Sequence, residues 1–412
     1  MNISKQLSLG LILLLSTGSN LVAQETPSDF LLTAFEDNNA KEFDAKLEFL
    51  NKGTYRLPYG DEIEFRYSND ERSLEDARYQ LRLSPSNPWL VRRNNALFNA
   101  LKKEITLEQQ IVYNENLFDR YSMLIDYLFT FKETKLLEQR YLLASRKLRL
   151  FQENPQSDFF DPRDYVDIRL ETIERLEDLE ESHTELLKRE MEIKLILNTD
   201  EIDWENFILI SATKIADLVP QILSAPAKSS ELLFIQQQIE VAKAETAKER
   251  ADFNIGFIEA RLTPNVDEDE TKLGFAFGFT IPIFNPNKDQ IAERVLDEIE
   301  LKNELNTEEF KDSVFKVIEY QFLQDQLIQH QKLEDNIAEI DMNALSQNLA
   351  LSEEFNPIVQ LDLEVGKLKL LQLKMRSQKR VLEQFIEVLF RYNALQSNPL
   401  KNYLHKDLEI IE

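Results

Sequence analysis

Leu273-Gly274-Phe275-Ala276-Phe277-Gly278-Phe279-Thr280-Ile281-Pro282-Ile283 alternates without a break: each odd position is large and apolar, each even one Gly, Ala, Thr or Pro. A period of two puts successive side chains on opposite faces of a strand, and about eleven residues is the length of a tilted strand crossing a bilayer. The stretch predicts a barrel strand with Leu273, Phe275, Phe277, Phe279 and Ile281 toward lipid. Small residues on the other face suit a crowded barrel interior or an open lumen. Upstream, Phe253, Ile255 and Phe257 predict the start of a partner strand, and Pro264-Asn265-Val266-Asp267-Glu268-Asp269-Glu270 is a turn too polar to enter lipid. A water-soluble hairpin packed on a core would also alternate, so the rest of the chain has to decide.

A weaker copy lies near the other end. Ile63, Phe65 and Tyr67 alternate with Glu62, Glu64 and Arg66; after the polar Asn69-Asp70-Glu71-Arg72, Tyr79, Leu81 and Leu83 alternate with Arg78, Gln80 and Arg82. The apolar face again fits lipid and the charged face an aqueous lumen. Two hairpins make four strands per chain, whereas the smallest membrane barrels need about eight, and an open edge in lipid leaves backbone groups unsatisfied. The barrel must then be shared. Three chains would supply twelve strands.

Both hairpins precede a long helical segment, and the landmarks repeat. Asn87-Pro88 and Asn285-Pro286 follow the two hairpins, with their prolines 198 positions apart; Phe160-Asp161-Pro162 and Phe355-Asn356-Pro357 recur with their prolines 195 apart. Two landmarks in one order and at nearly one offset indicate a tandem duplication. Residues 1–23 form a signal peptide. The first copy is 24–200, with a strand hairpin at about 54–84 and a helical hairpin at about 88–197. The second is 201–412, with a helix at about 229–251, a strand hairpin at about 253–284, a helical hairpin at about 288–396 and a C-terminal tail. Between Asn-Pro and the later Pro, a helix of about 65 residues would be on the order of 100 Å long. Leu117, Tyr121, Leu124, Leu128 and Phe131, and later Ile358, Leu361, Val365 and Leu368, step by four and three, which asks for partner helices.

Composition agrees. Among 412 residues, 30% are charged and only 8 are Gly, favouring long solvated helices; a net charge of -26 argues against nucleic acid, whose phosphates need clustered Lys and Arg. Met1 to Ala23, with Lys5, an apolar run from Leu7 to Leu15 and Leu21-Val22-Ala23, predicts a cleaved secretory signal, since the run is too short to span a bilayer. The absence of Cys leaves neither a disulfide framework nor a lipid-bearing Cys. No catalytic constellation is present. His183, His330 and His405 are isolated, the glycines form no phosphate loop, and acidic runs such as Glu174 to Glu181 suit solvated helix faces. No enzyme activity, cofactor or metal is expected.

Ile281-Pro282-Ile283-Phe284 running into Gln290-Ile291-Ala292-Glu293, then two long helices joined by a turn, all duplicated, resembles the TolC-like outer-membrane efflux proteins over nearly the whole chain after the signal peptide. The resemblance implies a mainly α fold with β-hairpins: duplicated long antiparallel helical hairpins plus four strands per chain, trimerising into a 12-stranded β-barrel that continues into a 12-helix periplasmic tunnel. It implies an outer-membrane exit duct of a tripartite efflux or export system, working as a homotrimer in outer-membrane lipid with a periplasmic adaptor protein and an inner-membrane pump. The family also implies a closed entrance at the helical tips, ringed by carboxylates of the second hairpin. Matching the turns Asp161-Pro162 and Asn356-Pro357 puts Gln360, Asp362 and Glu364 near that constriction, with Asp164 and Asp167 at the other tip. One departure concerns the helix before the first strand, Phe35 to Asn51, which is short and broken by Asn38-Asn39, whereas Glu231 to Ala251 supplies the second copy. A soluble periplasmic coiled-coil adaptor is the competing reading; it would carry a compact β-rich module splitting one helical hairpin.

Overall fold

The computed structural model describes residues 25–411 other than 54–55, 59, 70–76, 158–159, 225–228, 254, 266–269, 280–286, 343, 346 and 348–356. The predicted signal segment, Ile281 and Asn356 lie outside the described residues. The described elements run α1 (Pro27–Leu32), a 3-10 turn (Thr33–Phe35), α2 (Asn38–Lys52), β1 (Gly60–Asn69), β2 (Ala77–Pro85), α3 (Pro88–Glu153) and α4 (Pro162–Leu197). The second half runs α5 (Ala212–Leu223), α6 (Ser230–Ala251), β3 (Gly256–Asn265), β4 (Glu270–Phe279), α7 (Lys288–Glu339) and α8 (Pro357–Arg391).

Long helices form where the chain offers caps and withholds breakers. The Asn87 side chain accepts from the Trp89 N–H at 3.0 Å, Pro88 takes the first helical position, and α3 then runs 66 residues with no further Pro and no Gly. That is about 100 Å of helix. At the far end Asp161 accepts from the Arg163 N–H at 2.7 Å and Pro162 opens the 36 residues of α4. In the second half α7 stops after 52 residues, short of the α3 length, because Ile340 leaves the helical region at φ -88°, ψ 95°.

Within the chain α4 packs on α3, α3 on α8 and α8 on α7, while α2 and α6 flank the sheet-proximal part of α3 and α6 also packs on α7. Asn38 and Asn39 begin a helix and do not break one, contrary to expectation. The bend falls at Asp37, whose carboxylate takes both bonds from Arg120 Nη2 at 2.6 and 2.7 Å, with Arg120 Nε on Thr33 Oγ1 at 3.0 Å. The resulting α2 has 15 residues against 22 in α6, so the first half carries the shorter of the two helices.

The largest apolar core lies midway along the long helices. Leu117, Tyr121 and Leu124 of α3 and Phe385 and Leu389 of α8 meet Phe30 and Leu31 of α1, Trp204, Ile215 of α5, and Leu404 and Ile411 of the tail. The Tyr121 hydroxyl donates to the Lys401 carbonyl at 2.8 Å and accepts from the Tyr403 N–H at 3.2 Å, which lets a fully buried phenol stay satisfied. The Ile210 N–H donates to the Leu404 carbonyl at 2.8 Å, locking the inter-half linker to the tail. Deleting a side chain here, as in Leu124→Ala, costs about 2–5 kcal/mol by the usual cavity arithmetic.

Candidate functional site

The four strands form one antiparallel sheet in the order β1-β2-β3-β4, so β1 and β4 are its outer strands. Cross-strand partners share a face, and the register Phe65↔Leu81, Leu81↔Ala260, Ala260↔Phe275 draws one apolar row across all four strands. Rows on either side add Ile63, Leu83, Ile258 and Phe277, and Tyr67, Tyr79, Leu262 and Leu273. This face is bare: Ile63 is 71% and Phe277 67% exposed, and Leu273, Phe275 and Phe279 are likewise exposed. Among the described residues no core side chain covers it.

The opposite face is charged on three strands and small on the fourth. One row reads Glu64, Arg82, Glu259, Ala276 from β1 to β4, alternating in sign until it reaches alanine. Glu259, 2% exposed, accepts from Arg261, and Glu64 accepts from Arg66 Nε at 2.6 Å. Here the apolar face of β3 is slipped by one residue from the expected phase. Phe253 and Ile255 precede β3, Phe257 sits on the charged face with Arg82 stacked 3.8 Å over its ring, and Ile258, Ala260 and Leu262 form the apolar side. Gly256 explains the slip. Its φ of +118° is closed to ordinary side chains, and a Cβ there would meet the Gly278 carbonyl oxygen at 1.8 Å. Gly278 in turn leaves room for the Phe257 ring, which a Cβ would meet at 2.4 Å. Just below, Asn87 Nδ2 donates to the Ala251 and Phe253 carbonyls at 2.7 and 3.1 Å, tying α3 to the end of α6.

The helical tips lie about 100 Å away along α3. Asp161 is spent as the cap of α4; Asp164 and Asp167 are exposed in its first turns. Pro357 opens α8; Gln360 is half-buried, Asp362 and Glu364 exposed. Asp362 is not a free carboxylate. It accepts from Lys147 Nζ of α3 at 2.6 Å, a partner 215 positions away that periodicity alone does not reveal.

That pair is the last rung of a ladder. Asp126, Glu133, Arg140 and Lys147 recur every seven residues on α3 and meet α8 in reverse order: Lys379 on Asp126 at 2.7 Å, Arg376 and Gln372 on Glu133 at 2.6 and 2.9 Å, Arg140 on Gln372 at 3.0 Å. Burial pushes the Glu133 carboxyl up, but the Arg376 and Gln372 donors outweigh it and leave it below the usual range. Between α7 and α8, His330 is buried with Nδ1 3.1 Å from Ser377 Oγ, and burial lowers its pKa. It packs between the two helices.

The outer helices carry unmatched apolar stripes. On α4, Val166 and Leu170 are exposed, as are Leu187 and Met191 three heptads on; on α7, Leu296, Phe310 and Val317 are exposed whole heptads apart. No described helix is long and apolar enough to cross a membrane, which says nothing of a barrel.

No protein-family model matches the chain. No curated sequence matches it either. Solved structures do. The outer membrane protein VceC of Vibrio cholerae aligns with a TM-score of 0.64 at 10% identity over 89% of this chain and 96% of its own. The CmeC outer membrane channel of Campylobacter jejuni aligns at 0.57 and 11% identity over 94% and 88%, and the open-state MtrE outer membrane channel of Neisseria gonorrhoeae at 0.51 and 12% over 93% and 90%. At such identities what these structures share with this chain is the fold.

Proposed function

We propose that this chain, which has the fold of the TolC-like outer-membrane channels, is the exit duct of a tripartite efflux or export system: a passive conduit through the outer membrane and across the periplasm. One observation carries the reading. A bare apolar face spans a four-stranded sheet whose outer strands β1 and β4 pair with nothing beyond β2 and β3 among the described residues. In lipid such edges leave backbone groups unsatisfied unless other chains complete them. Joining β4 of one copy to β1 of the next satisfies every edge, and the same rotation brings the α7 stripe of one copy to the α4 stripe of its neighbour. Three copies give a 12-stranded barrel above a 12-helix tunnel, with Leu273, Phe275, Phe277, Phe279, Ile63, Phe65 and Tyr67 against lipid.

In this assembly the two halves act as tandem copies, and the tips at Pro162 and Pro357 form the periplasmic entrance. Glu364, Asp164 and Asp167 are its candidate selectivity carboxylates, Gln360 lies at the same level, and the Lys147–Asp362 pair holds the α8 tip against α3. A periplasmic adaptor and an inner-membrane pump are the expected partners. The compact β-rich module an adaptor would need has no counterpart among the described residues. The assembly is tested by light scattering and electron microscopy of detergent-purified protein. A trimer longer than ~100 Å is expected, from the length of α3, and a folded monomer would remove the proposal.

A further inference from the structure

Four segments far apart in sequence close around a cavity of about 100 Å³ where α3, the first turn of α6, α7 and the end of α8 meet. Three of its lining side chains hold a buried oxygen with no hydrogen-bond partner: Asn114 Oδ1, Ser230 Oγ and Asn393 Oδ1. Asn114 is 7% and Ser230 5% exposed. The Asn114 amide is oriented by its own chemistry, since Nδ2 donates to the Phe390 carbonyl at 3.2 Å and leaves Oδ1 as the idle acceptor.

Charge in the cavity is one-sided. Lys311 is taken by Glu308 at 2.5 Å, Arg391 by Glu387 at 2.8 Å and Asp312 by Lys316 at 2.8 Å. Glu115 and Glu231 have no cationic partner among the described residues. The positive end of α6 is already answered by Ser229 Oγ, which accepts from the Leu232 N–H, whereas the carbonyl end of α8 adds partial negative charge.

We propose that this cavity binds a divalent cation of the calcium class, with Glu115, Glu231, Asn114 Oδ1, Asn393 Oδ1 and Ser230 Oγ as its oxygen donors. Carboxylates mixed with neutral oxygens are the ligand set of a hard cation, and water completes a shell of about six to eight. Imidazole and thiol play no part, so a search for His and Cys spacing passes over the site. The ion would tie α3, α6 and the end of α8 together within one chain, whether or not chains assemble into a duct.

The test is equilibrium dialysis of EDTA-stripped protein in detergent against Ca²⁺, with thermal unfolding measured in parallel. Wild type should bind one more Ca²⁺ per chain than Glu115→Gln or Glu231→Gln, with a dissociation constant on the order of 10⁻⁴–10⁻³ M, as in extracellular modules. Calcium should raise the unfolding temperature of wild type and not of the two variants. Without calcium the variants, relieved of repulsion, should unfold no lower than wild type, which a merely structural role would not give. Glu177→Gln, at an exposed carboxylate of α4, should keep the ion. Equal calcium content in wild type and both variants, or no calcium response of wild type at millimolar concentrations, overturns the site. Should either glutamine variant fail to fold, Ser230→Ala is read by the same criteria.

Discussion

Phe275→Arg is the sharpest probe of the bare sheet face. Phe275 ends the middle apolar row, opposite Ala260, with Leu273 and Phe277 above and below it on the same strand. Phe275 and Phe279 are four residues apart, so Phe275 lies about 13 Å along the strand from the helix-proximal end at 3.3 Å per residue. With the usual tilt of about 40° that is about 10 Å of depth, well inside an apolar band about 25 Å tall. A guanidinium there costs about 2–4 kcal/mol near the midplane and about 0–1 kcal/mol at the interface, once per chain and so three times in the proposed trimer. The matched control is Glu62→Arg, on the charged face of the same sheet. Unfolding of the reconstituted protein by urea in lipid vesicles reads the difference. Phe275→Arg should lose at least about 2 kcal/mol per chain and Glu62→Arg less than about 1 kcal/mol. Equal stability of the two, or a Phe275→Arg trimer that stays integral at wild-type stability, would show that the apolar face does not meet lipid.

Three further outcomes follow from named contacts. Glu364→Gln should weaken cation selectivity in planar bilayers more than Asp362→Asn, because Lys147 already neutralises Asp362; the reverse order would place Asp362 in the pore. Gly256→Ala should destabilise the sheet by about 1–3 kcal/mol from backbone strain alone, more if the 1.8 Å clash with the Gly278 carbonyl is not relieved, whereas Gly274→Ala, with only a 4.0 Å contact, should be near neutral by thermal unfolding. His330 is held below its ordinary pKa by burial. Its neutral form is therefore the stabilising one, and that contribution is present above the unfolded pKa of about 6.5. It should be lost as pH falls through the folded value, so His330→Gln should flatten the acid side of the stability profile.

Elements set by local rules were readable in the sequence. Asn87-Pro88 and Asp161-Pro162 announce helix starts through capping chemistry, and the unbroken alternation from Leu273 to Phe279 fixes which side of β4 is apolar. The phase of β3 was not readable in the same way. Phe253, Ile255 and Phe257 alternate as cleanly as Ile258, Ala260 and Leu262, and only the left-handed backbone at Gly256 decides between them. Long-range pairs were also hidden. Lys147 and Asp362 look like two solvated charges until α3 and α8 are docked, and the core around Tyr121 draws on the N-terminal segment, the inter-half linker and the tail, none of which has a strong period of its own. The oxygen cluster at Asn114, Ser230 and Asn393 has no spacing at all, because each donor comes from a different segment.

The seven-residue ladder between α3 and α8 also bears on how the chain finds its fold. Both helices carry apolar heptads, which would tolerate docking in either direction. Their charges do not. The α3 row changes from acidic at Asp126 and Glu133 to basic at Arg140 and Lys147, while α8 changes from acidic at Asp362 to basic at Arg376 and Lys379. Laid parallel, the two would bring Asp362 toward Asp126 and Lys379 toward Lys147, so that like charges face each other at both ends. The pattern thus acts as a polarity filter during the folding search, rejecting the misaligned encounter before burial can trap it, and it does so for helices whose contacting residues are separated by more than two hundred positions of chain.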